Sequence, residues 1–527
     1  MDMAMAAMAS TASSSARLFL LTCLISTATW GGDWKFTPSI ALSERYSDNV
    51  DLAASGSEQS DWITEITPRI TVRRDGARLK VDADYSLQGL LYANGSDNSK
   101  IRHNLNGRAN AELVEEWFFL DATARISHEP KDFAGGTGLG DSVGIGNATS
   151  VGAYSLSPYM KHRFGSTATV EARITRDGVF IGDSSLSDSA STRYLLSAAS
   201  GNDFFPLSWN ASYSKSDTNN SGTTDSGSET ASINARYRLS SKFGLLAQAG
   251  MEKHDFNGIN SNPELRDYSY YGLGAFYTPS RYFSMDALYN HSDNGNFLSG
   301  SATFNPTLRT TINASTSRRA FGRSYGLNLT HRTRQSNWSL RYQDDLTTSQ
   351  QQFLNFVGDV YVYTCPSGTE FHPAGEPPSD PATCTLINII QDFNQAQLNQ
   401  TYVSKTLSGT VSYTLRRNTW TLNLFDNRRD YQGIGGGNDS TQGLQASWSL
   451  KPAAHTTFTL TGGMSKNETS GTPNRQDDLW NLGLVATRQF QPKVSGSVEV
   501  RHQERDSNLA GDDFAENSVA ARLNMSF

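Results

Sequence analysis

Residues 79–88 read Leu79-Lys80-Val81-Asp82-Ala83-Asp84-Tyr85-Ser86-Leu87-Gln88, with an apolar side chain at every second position. Successive side chains of a β-strand point to opposite faces, so this period indicates a strand with one apolar and one charged face. The same period recurs over residues 231–240, 444–450 and 480–486. The chain offers no set of amphipathic helices to cover the apolar faces, which predicts that lipid covers them.

Short turns and longer polar loops separate the alternating segments. The short turns are predicted at Arg74-Asp75-Gly76, Glu115-Glu116, Gly201-Asn202-Asp203, Thr278-Pro279-Ser280, Asn305-Pro306-Thr307, Lys451-Pro452-Ala453 and Gln491-Pro492-Lys493. The longer loops are predicted at 46–60, 130–149, 177–190, 215–228, 349–395 and 504–514. Short periplasmic turns and long extracellular loops are typical of transmembrane barrels. An open sheet edge in hydrocarbon would leave backbone groups unpaired, so the sheet must close on itself.

The predicted fold is therefore all-β, a single large antiparallel transmembrane β-barrel over residues 30–527 with about 24 strands, in a range of roughly 22–26. The N-terminal residues resemble an export signal, because Arg17 precedes an apolar run over 18–25 and small residues over 26–29. We expect residues 1–29 to be a signal peptide that is cleaved. A lipoprotein signal at Cys23 is the alternative, although Thr22 stands where a smaller residue is usual. The predicted location is the outer membrane of a Gram-negative bacterium.

The last segment of the sequence carries one apolar row that ends on an aromatic residue. The row consists of Val519, Ala521, Leu523, Met525 and Phe527. It resembles the signal that the outer-membrane insertion machinery recognises. The expected partners are therefore this machinery and outer-membrane lipid.

Charged residues on the polar phase of the strands are expected to face an aqueous lumen, since lipid excludes them from the other face. The predicted lumen-facing residues are Asp82, Asp84, Arg236, Arg238, Arg341, Glu499, Arg501 and Arg522. Aromatic residues near strand ends, such as Trp117, Trp338, Trp420 and Tyr282, are candidates for interfacial girdles, or for ordinary strand positions.

Residues 349–395 form a long segment without clear alternation, which is uncommon unless the segment has a function. Cys365 and Cys384 lie within it, and an exported chain favours a disulfide between them. Two unpaired thiols are the alternative. The hypothesis for this extracellular loop is that it folds over or into the mouth of the barrel, because about 24 strands would otherwise leave a channel wider than a porin's. A loop that only decorates the outside is the competing interpretation.

Composition and motifs speak against several classes of function. The net charge of −7 and scattered basic residues give no face for nucleic acid. The stretch 140–144 matches the G-x-S-x-G pattern of serine hydrolases but lies in a glycine-rich loop without a following helix. The nine histidines never stand at metal-ligand spacings, and the acidic stretch 216–220 lacks the fixed spacing of a calcium loop. We therefore expect no enzyme activity, catalytic residue, cofactor or metal site.

Several turn and strand motifs resemble the outer-membrane β-barrel family associated with the PEP-CTERM/exosortase protein-sorting and exopolysaccharide systems. They are Thr37-Pro38-Ser39, Tyr46-Ser47-Asp48-Asn49-Val50, Ser60-Asp61-Trp62, Thr67-Pro68-Arg69-Ile70, Asp84-Tyr85, Tyr271-Gly272-Leu273-Gly274 before Thr278-Pro279-Ser280, and His331-Arg332-Thr333-Arg334 with Trp338-Ser339-Leu340. The resemblance implies a pore or scaffold in exopolysaccharide secretion or assembly, with exopolysaccharide or its periplasmic export proteins as partners. A general or substrate-selective porin for nutrient uptake is the alternative function.

Overall fold

The computed structural model describes residues 34–95, 100–130, 148–182, 188–220, 225–255, 267–348, 360–365, 368–373, 384–390, 401–431, 437–470 and 474–527. The strands up to the middle of the chain are β1 (Trp34–Ser47), β2 (Asp61–Asp75), β3 (Leu79–Tyr92), β4 (Lys100–Val114), β5 (Phe118–Pro130), β6 (Ala148–Phe164), β7 (Ala168–Ile181), β8 (Ser189–Ser200), β9 (Leu207–Asn220), β10 (Ser226–Arg238), β11 (Phe243–Asp255), β12 (Asp267–Ser280), β13 (Phe283–Ser292) and β14 (Phe297–Thr307). The remaining strands are β15 (Thr310–Arg319), β16 (Gly322–Arg332), β17 (Ser336–Thr348), β18 (Val360–Cys365), β19 (Gly368–Pro373), β20 (Thr385–Ile390), β21 (Thr401–Leu415), β22 (Asn418–Tyr431), β23 (Asn438–Ala453), β24 (Thr456–Thr469), β25 (Arg475–Gln491), β26 (Val494–Ser507) and β27 (Phe514–Ser526). A single 3-10 turn over Asn202–Phe204 is the helical element of the described residues.

Twenty-four of these strands form one closed antiparallel sheet, in which each strand pairs with its neighbours along the chain. β17 pairs with β21 and so passes over the inserted strands β18 to β20. The ring closes where β1 pairs with β27, in a register that runs from Ser39 opposite Ser526 to Ser47 opposite Ser518. Closure pairs the backbone of both outermost strands, as hydrocarbon demands. The predicted barrel and the strand number of 24 are confirmed.

Tight turns occupy the end of the barrel where β1 begins and β27 ends. The turns at 281–282, 308–309, 416–417 and 492–493 have only two residues each. The opposite end carries the longer connections, such as 48–60 and 508–513. Backbone φ is positive at Glu116, Gly165 and Arg416, the left-handed conformation that lets a chain reverse within two or three residues.

Three of the predicted proline turns lie slightly too early in the sequence. Pro279, Pro306 and Pro452 belong to the last residues of β12, β14 and β23, and the chain reverses just after them. The pairing register shifts at each of these places. Proline has no backbone N–H to give to a ladder, so it fits an irregular strand end as well as a turn.

The barrel wall continues further into the predicted loops than the sequence pattern indicated. β7 extends to Ile181 and β9 to Asn220, so the acidic stretch 216–220 is strand and not loop. Ladder pairing of β9 with β10 runs from Leu207 to Thr218. Alternation is imposed only where lipid covers one face, so a wall that rises beyond the bilayer can pair without it.

The long insertion after β17 contains a small sheet that the sequence did not reveal. β18 pairs with both β19 and β20 in a separate three-stranded sheet. This sheet contacts β23, β24 and β25, which lie beyond β21 and β22 in the barrel wall. Cys384 is buried and disulfide-bonded. The side chain of Cys365 lies outside the described residues, so the pairing of these two cysteines stays a prediction.

Burial in this fold is inverted relative to a water-soluble protein. Large apolar side chains such as Leu273, Leu298 and Ile101 are exposed, by 73%, 70% and 67%. Polar side chains such as Asn290 and Thr459 are fully buried. Exposed apolar rows on every part of the wall indicate a surface that is covered by something other than water.

Candidate functional site in the barrel lumen

Side chains alternate between the inner and the outer face along each strand, and only those on the inner face can contact a solute in the lumen. Val498 and Val500 are exposed on the outer face of β26, whereas Glu499 and Arg501 between them are buried on the inner face. The eight residues predicted to face the lumen all lie on the phase opposite to the exposed apolar rows of their strands. Their exposure to an aqueous lumen stays a prediction.

A belt of paired charges, here called the seam belt, crosses the inner face where the barrel closes. Glu499 on β26 forms an ion pair with Arg501 and lies 3.6 Å from Arg45 on β1. Arg522 on β27 lies 3.2 Å from Glu65 on β2. Each cation of the belt thus lies beside a carboxylate, with Arg45 and Arg501 sharing Glu499.

The belt continues into residues 79–88 on β3. Asp84 on β3 lies 3.4 Å from Arg69 and accepts a hydrogen bond from the Thr71 hydroxyl at 2.7 Å. Asp82 lies 3.2 Å from Arg73. The alternation of residues 79–88 therefore places two carboxylates opposite two guanidinium groups of the neighbouring strand.

A second constellation stands on β10 to β13. Arg236 Nη2 donates to both carboxylate oxygens of Asp286 at 2.7 Å, across the two intervening strands. The guanidinium carbon of Arg236 lies 4.1 Å from the ring centre of Phe276, in cation–π geometry. Phe276, Leu246 and Leu288 form a buried apolar cluster beside this ion pair.

An amide bridge lies one register row further from the tight turns. Gln248 Nε2 donates to Asn290 Oδ1 at 2.6 Å and to Ser299 Oγ at 3.2 Å, and Asn290 Nδ2 donates to the same Ser299 hydroxyl at 2.8 Å. Gly272 on β12 lies between β11 and β13 in this row, and its missing side chain leaves the space that the bridge occupies. A Cβ at Gly272 would lie 2.0 Å from Asn290 Oδ1.

The ion pair and the amide bridge frame a recess of about 560 Å³ in the inner wall, here called the β8–β15 recess. Hydroxyl and amide groups dominate its remaining rim, which includes Ser208, Asn210, Asn234, Ser301 and Ser315. All of these belong to the inner phase by register.

A third constellation stands on β5 to β7. Arg173 lies 2.9 Å from Asp121 and 3.0 Å from Glu171. Its guanidinium carbon lies 3.7 Å from the ring centre of Tyr159, which stacks on Phe119 at 5.0 Å. The cation is again compensated by carboxylates.

The remaining predicted residues lie apart from these constellations. Arg341 donates to Gln343 at 2.7 Å, and Arg238 lies 5.8 Å from the ring centre of Phe205 at the tight-turn end. The C-terminal row lies on β27 from Val519 to Met525, with Phe527 directly after the strand, and Val519 is exposed on the outer face. Recognition of this row by the insertion machinery stays a prediction.

Two predictions fall on residues that the structure does not describe. The signal peptide at 1–29 and the G-x-S-x-G stretch at 140–144 lie outside the described ranges. Within those ranges, no three His, Cys, Asp or Glu side chains are grouped to hold a metal ion. No helix of the described chain has the length and apolarity to cross a membrane.

Exposed aromatic residues mark the tight-turn end of the outer face. Trp117, Trp338, Trp420 and Tyr282 lie in the turns or within three residues of them, and each is exposed. Such a girdle at the edge of an apolar band, on a closed sheet with an even number of strands, characterises bacterial barrels of the outer membrane. The protein is an outer-membrane β-barrel.

The known proteins that resemble this chain have low sequence identity to it. No protein-family model matches the chain, and no curated protein matches its sequence. Among solved structures, it is similar to the siderophore receptor PirA from Pseudomonas aeruginosa, with 12% identity, a TM-score of 0.41, and coverage of 94% of this chain and 80% of that one.

Two further structures are similar at the same level. The FrpB iron transporter from Neisseria meningitidis has 8% identity, a TM-score of 0.47, and coverage of 93% and 82%. OpdK from Pseudomonas aeruginosa, solved with vanillate, has 10% identity, a TM-score of 0.35, and coverage of 94% and 99%. These are likenesses of fold alone.

Sequence reasoning found Arg236 but missed its partners in the recess. Asp286, Gln248 and Asn290 stand among apolar residues and small residues of the same inner phase, so they belong to no charged row. The available signal was the pair Gly272 and Gly274, since two glycines on one face of a strand indicate a close approach by neighbouring side chains.

Proposed function

We propose that this barrel is a channel of the outer membrane that conducts polar solutes through its lumen. The observation that carries the proposal is the polar inner wall, on which Arg236, Arg173, Arg522 and Arg45 each lie beside a carboxylate. A wall with compensated charge lets ions and uncharged solutes pass without a strong preference for one sign. A substrate-selective porin for nutrient uptake is the form of this function that the polar recess supports.

Single-channel recording in planar bilayers tests the proposal. The purified protein is expected to produce stepwise conductance, with a reversal potential close to zero in a potassium chloride gradient. A protein that inserts, as shown by heat-modifiable migration in gels, and yet gives no conductance would refute the channel function.

The inserted sheet offers a means of restricting the pore. It leaves the wall between β17 and β21 and contacts β23 to β25, so it reaches across several strands at the loop end. We infer that the segment 349–395 covers part of the mouth. Deletion of 350–394 is then expected to raise the conductance. An unchanged conductance would mean that the segment does not restrict the pore.

The sequence resemblance supports a second candidate, a pore or scaffold in exopolysaccharide secretion. The motifs that carry it include Thr67-Pro68-Arg69-Ile70 and Tyr271-Gly272-Leu273-Gly274, which lie in the wall of the lumen. Exopolysaccharide and its periplasmic export proteins would be the partners. A deletion strain scored for extracellular polysaccharide and for growth on single carbon sources separates this candidate from nutrient uptake.

A further inference from the structure

We propose that the β8–β15 recess is a binding site for an uncharged saccharide unit on its way through the channel. The inference rests on the proposed channel function and names its class of solute. Three properties of the recess support it: its shape, its mixed lining and its charge.

The floor of the recess provides an apolar platform within a polar wall. Leu246 and Leu288 line the recess, and the two form one contiguous cluster with the buried Phe276 on the inner phase of β11 to β13. Gly274 lies between Leu246 and Leu288 in the register, and the Leu288 side chain occupies the space that a Cβ at Gly274 would take, so the platform is continuous. A pyranose ring has a face of C–H groups, and such a face packs on an apolar or aromatic surface. A fully hydrated ion gains nothing from this platform.

The rim provides hydrogen-bonding groups at the edges of the platform. Asn210, Asn234 and Gln248, on three neighbouring strands, line this edge of the recess, and the fully buried Asn290 fixes the Gln248 side chain from the next position of the same row. A side-chain amide offers two donors and an acceptor, which matches a hydroxyl that both donates and accepts. Ser301 and Ser315, directly opposite each other, extend this lining on the far side. Hydroxyl groups around the edge of a sugar ring can therefore be satisfied from both sides.

The charge of the recess favours an uncharged ligand over an acidic or basic one. Arg236 and Asp286 are its charged groups among the described lining residues, and the bidentate contact at 2.7 Å compensates each with the other. An anionic sugar would have to compete with Asp286 for the guanidinium group. A volume of about 560 Å³ lies in the range of roughly 300–1,000 Å³ that small-molecule sites occupy.

The recess also lies close to the tight-turn end of the wall. Arg236, Leu246 and Asp286 stand within four residues of the tight-turn ends of β10, β11 and β13. These positions belong to the periplasmic half of the wall. A solute that binds there is retained near the periplasmic exit, so its occupancy is expected to depend on the side of addition.

The experiment measures block of the ion current by an uncharged trisaccharide such as maltotriose, added to the periplasmic side of single channels. Wild-type protein is expected to show a saturable block. The double variant Q248L/N290L removes the Gln248 amide that lines the recess together with its buried partner Asn290, and its apparent Kd is expected to rise about tenfold, since one or two neutral hydrogen bonds from Gln248 to the sugar are lost. The control Q445A removes an inner-face amide from β23, away from the recess, and is expected to retain the wild-type Kd.

A charge variant supplies a second, independent arm. D286N leaves Arg236 without its carboxylate, so the recess is expected to bind an oligouronate of equal length more tightly than maltotriose, with the order reversed in the wild type. A block that is non-saturable in the wild type, or that is equal in Q248L/N290L and Q445A, overturns the saccharide site.

These outcomes are distinct from failure of the channel function. Conductance without saturable sugar block refutes the binding site and leaves the channel intact. If the protein does not conduct, saturation-transfer NMR of maltotriose with the detergent-solubilised barrel still tests the site. Loss of the transfer signal in Q248L/N290L but not in Q445A supports it, and a signal that is equal in both variants, or absent from the wild type, overturns it.

Discussion

Replacing Gly272 by alanine is expected to destabilise the barrel by about 2–3 kcal/mol, although alanine is the smallest side chain that can be added. The new Cβ would lie 2.0 Å from Asn290 Oδ1, 2.7 Å from its Cγ and 2.8 Å from the carbonyl oxygen of Tyr289. The Tyr289 backbone is held in the ladder and moves little, so the amide of Asn290 has to move by more than an ångström. Asn290 is fully buried, and its displacement breaks the hydrogen bonds to Gln248 and Ser299.

The magnitude combines two terms that the structure supplies. Overpacking in a filled wall costs typically about 1–3 kcal/mol. A buried amide that loses its partners costs about 1–3 kcal/mol, less whatever water in the lumen restores. Alanine gains about 0.5–1 kcal/mol over glycine in a strand, which offsets part of the loss.

The matched control is Gly107→Ala on β4. A Cβ at Gly107 would meet the Ala124 carbonyl oxygen at 3.7 Å and the Ala83 Cβ at 3.9 Å, which is ordinary contact. G107A is therefore expected to be neutral or slightly stabilising. Urea-induced unfolding in lipid vesicles, followed by tryptophan fluorescence, measures both variants. Equal unfolding midpoints for G272A and G107A would mean that a Cβ at position 272 does not displace the Asn290 amide.

Three further predictions concern the seam and its assembly. Glu65→Gln leaves Arg522 uncompensated, so the reversal potential in a salt gradient is expected to shift towards anion selectivity; an unchanged potential would mean that the seam belt does not face the conducting path. Asp48→Ala removes the acceptor of the Asn517 backbone N–H, at 2.7 Å, and should speed hydrogen exchange of that amide, while protection like the wild type's would argue against the contact. Phe527→Ala should lower the fraction of assembled barrel in the outer membrane but leave the urea midpoint of the assembled fraction unchanged; normal assembly would count against the insertion signal.

The strands could be predicted from the sequence because lipid requires an apolar side chain at every second position of each strand. The alternation of apolar and polar residues, as in 79–88, arises because one face of each strand contacts lipid and the other faces the lumen. A count of such segments gives the 24 strands. The rule fails where the wall leaves the bilayer. Residues 216–220 are polar on both faces and still pair with β8 and β10 as part of β9.

The recess could not be predicted in the same way, because it depends on register and not on pattern. Gln248 meets Asn290 only because Gly272 stands between them, and this alignment follows from the pairing of three strands. The inserted sheet is a similar case. β18 to β20 have only six residues each, too few for an alternation to mark them.

The first extracellular connection folds back onto the inner wall at the seam. Val50 and Leu52 pack in a buried cluster with Ile63, Leu90 and Phe514, which lie on β2, β3 and β27. The Asn49 amide donates to the carbonyl oxygens of Ala53 at 2.8 Å and Ala515 at 3.0 Å. The start and the end of the barrel wall are thus tied together by a contact that is separate from the β1–β27 ladder.

The contact between the first extracellular connection and β27 can form only late in biogenesis. β27 is the last of the 24 strands to leave the ribosome, so Phe514 and Ala515 reach their partners only after every other strand exists. Contacts between residues so distant along the chain form slowly, and until they form the sheet has two bare margins that can pair with other chains. Truncation anywhere before β27 is therefore expected to yield aggregates and not a smaller pore.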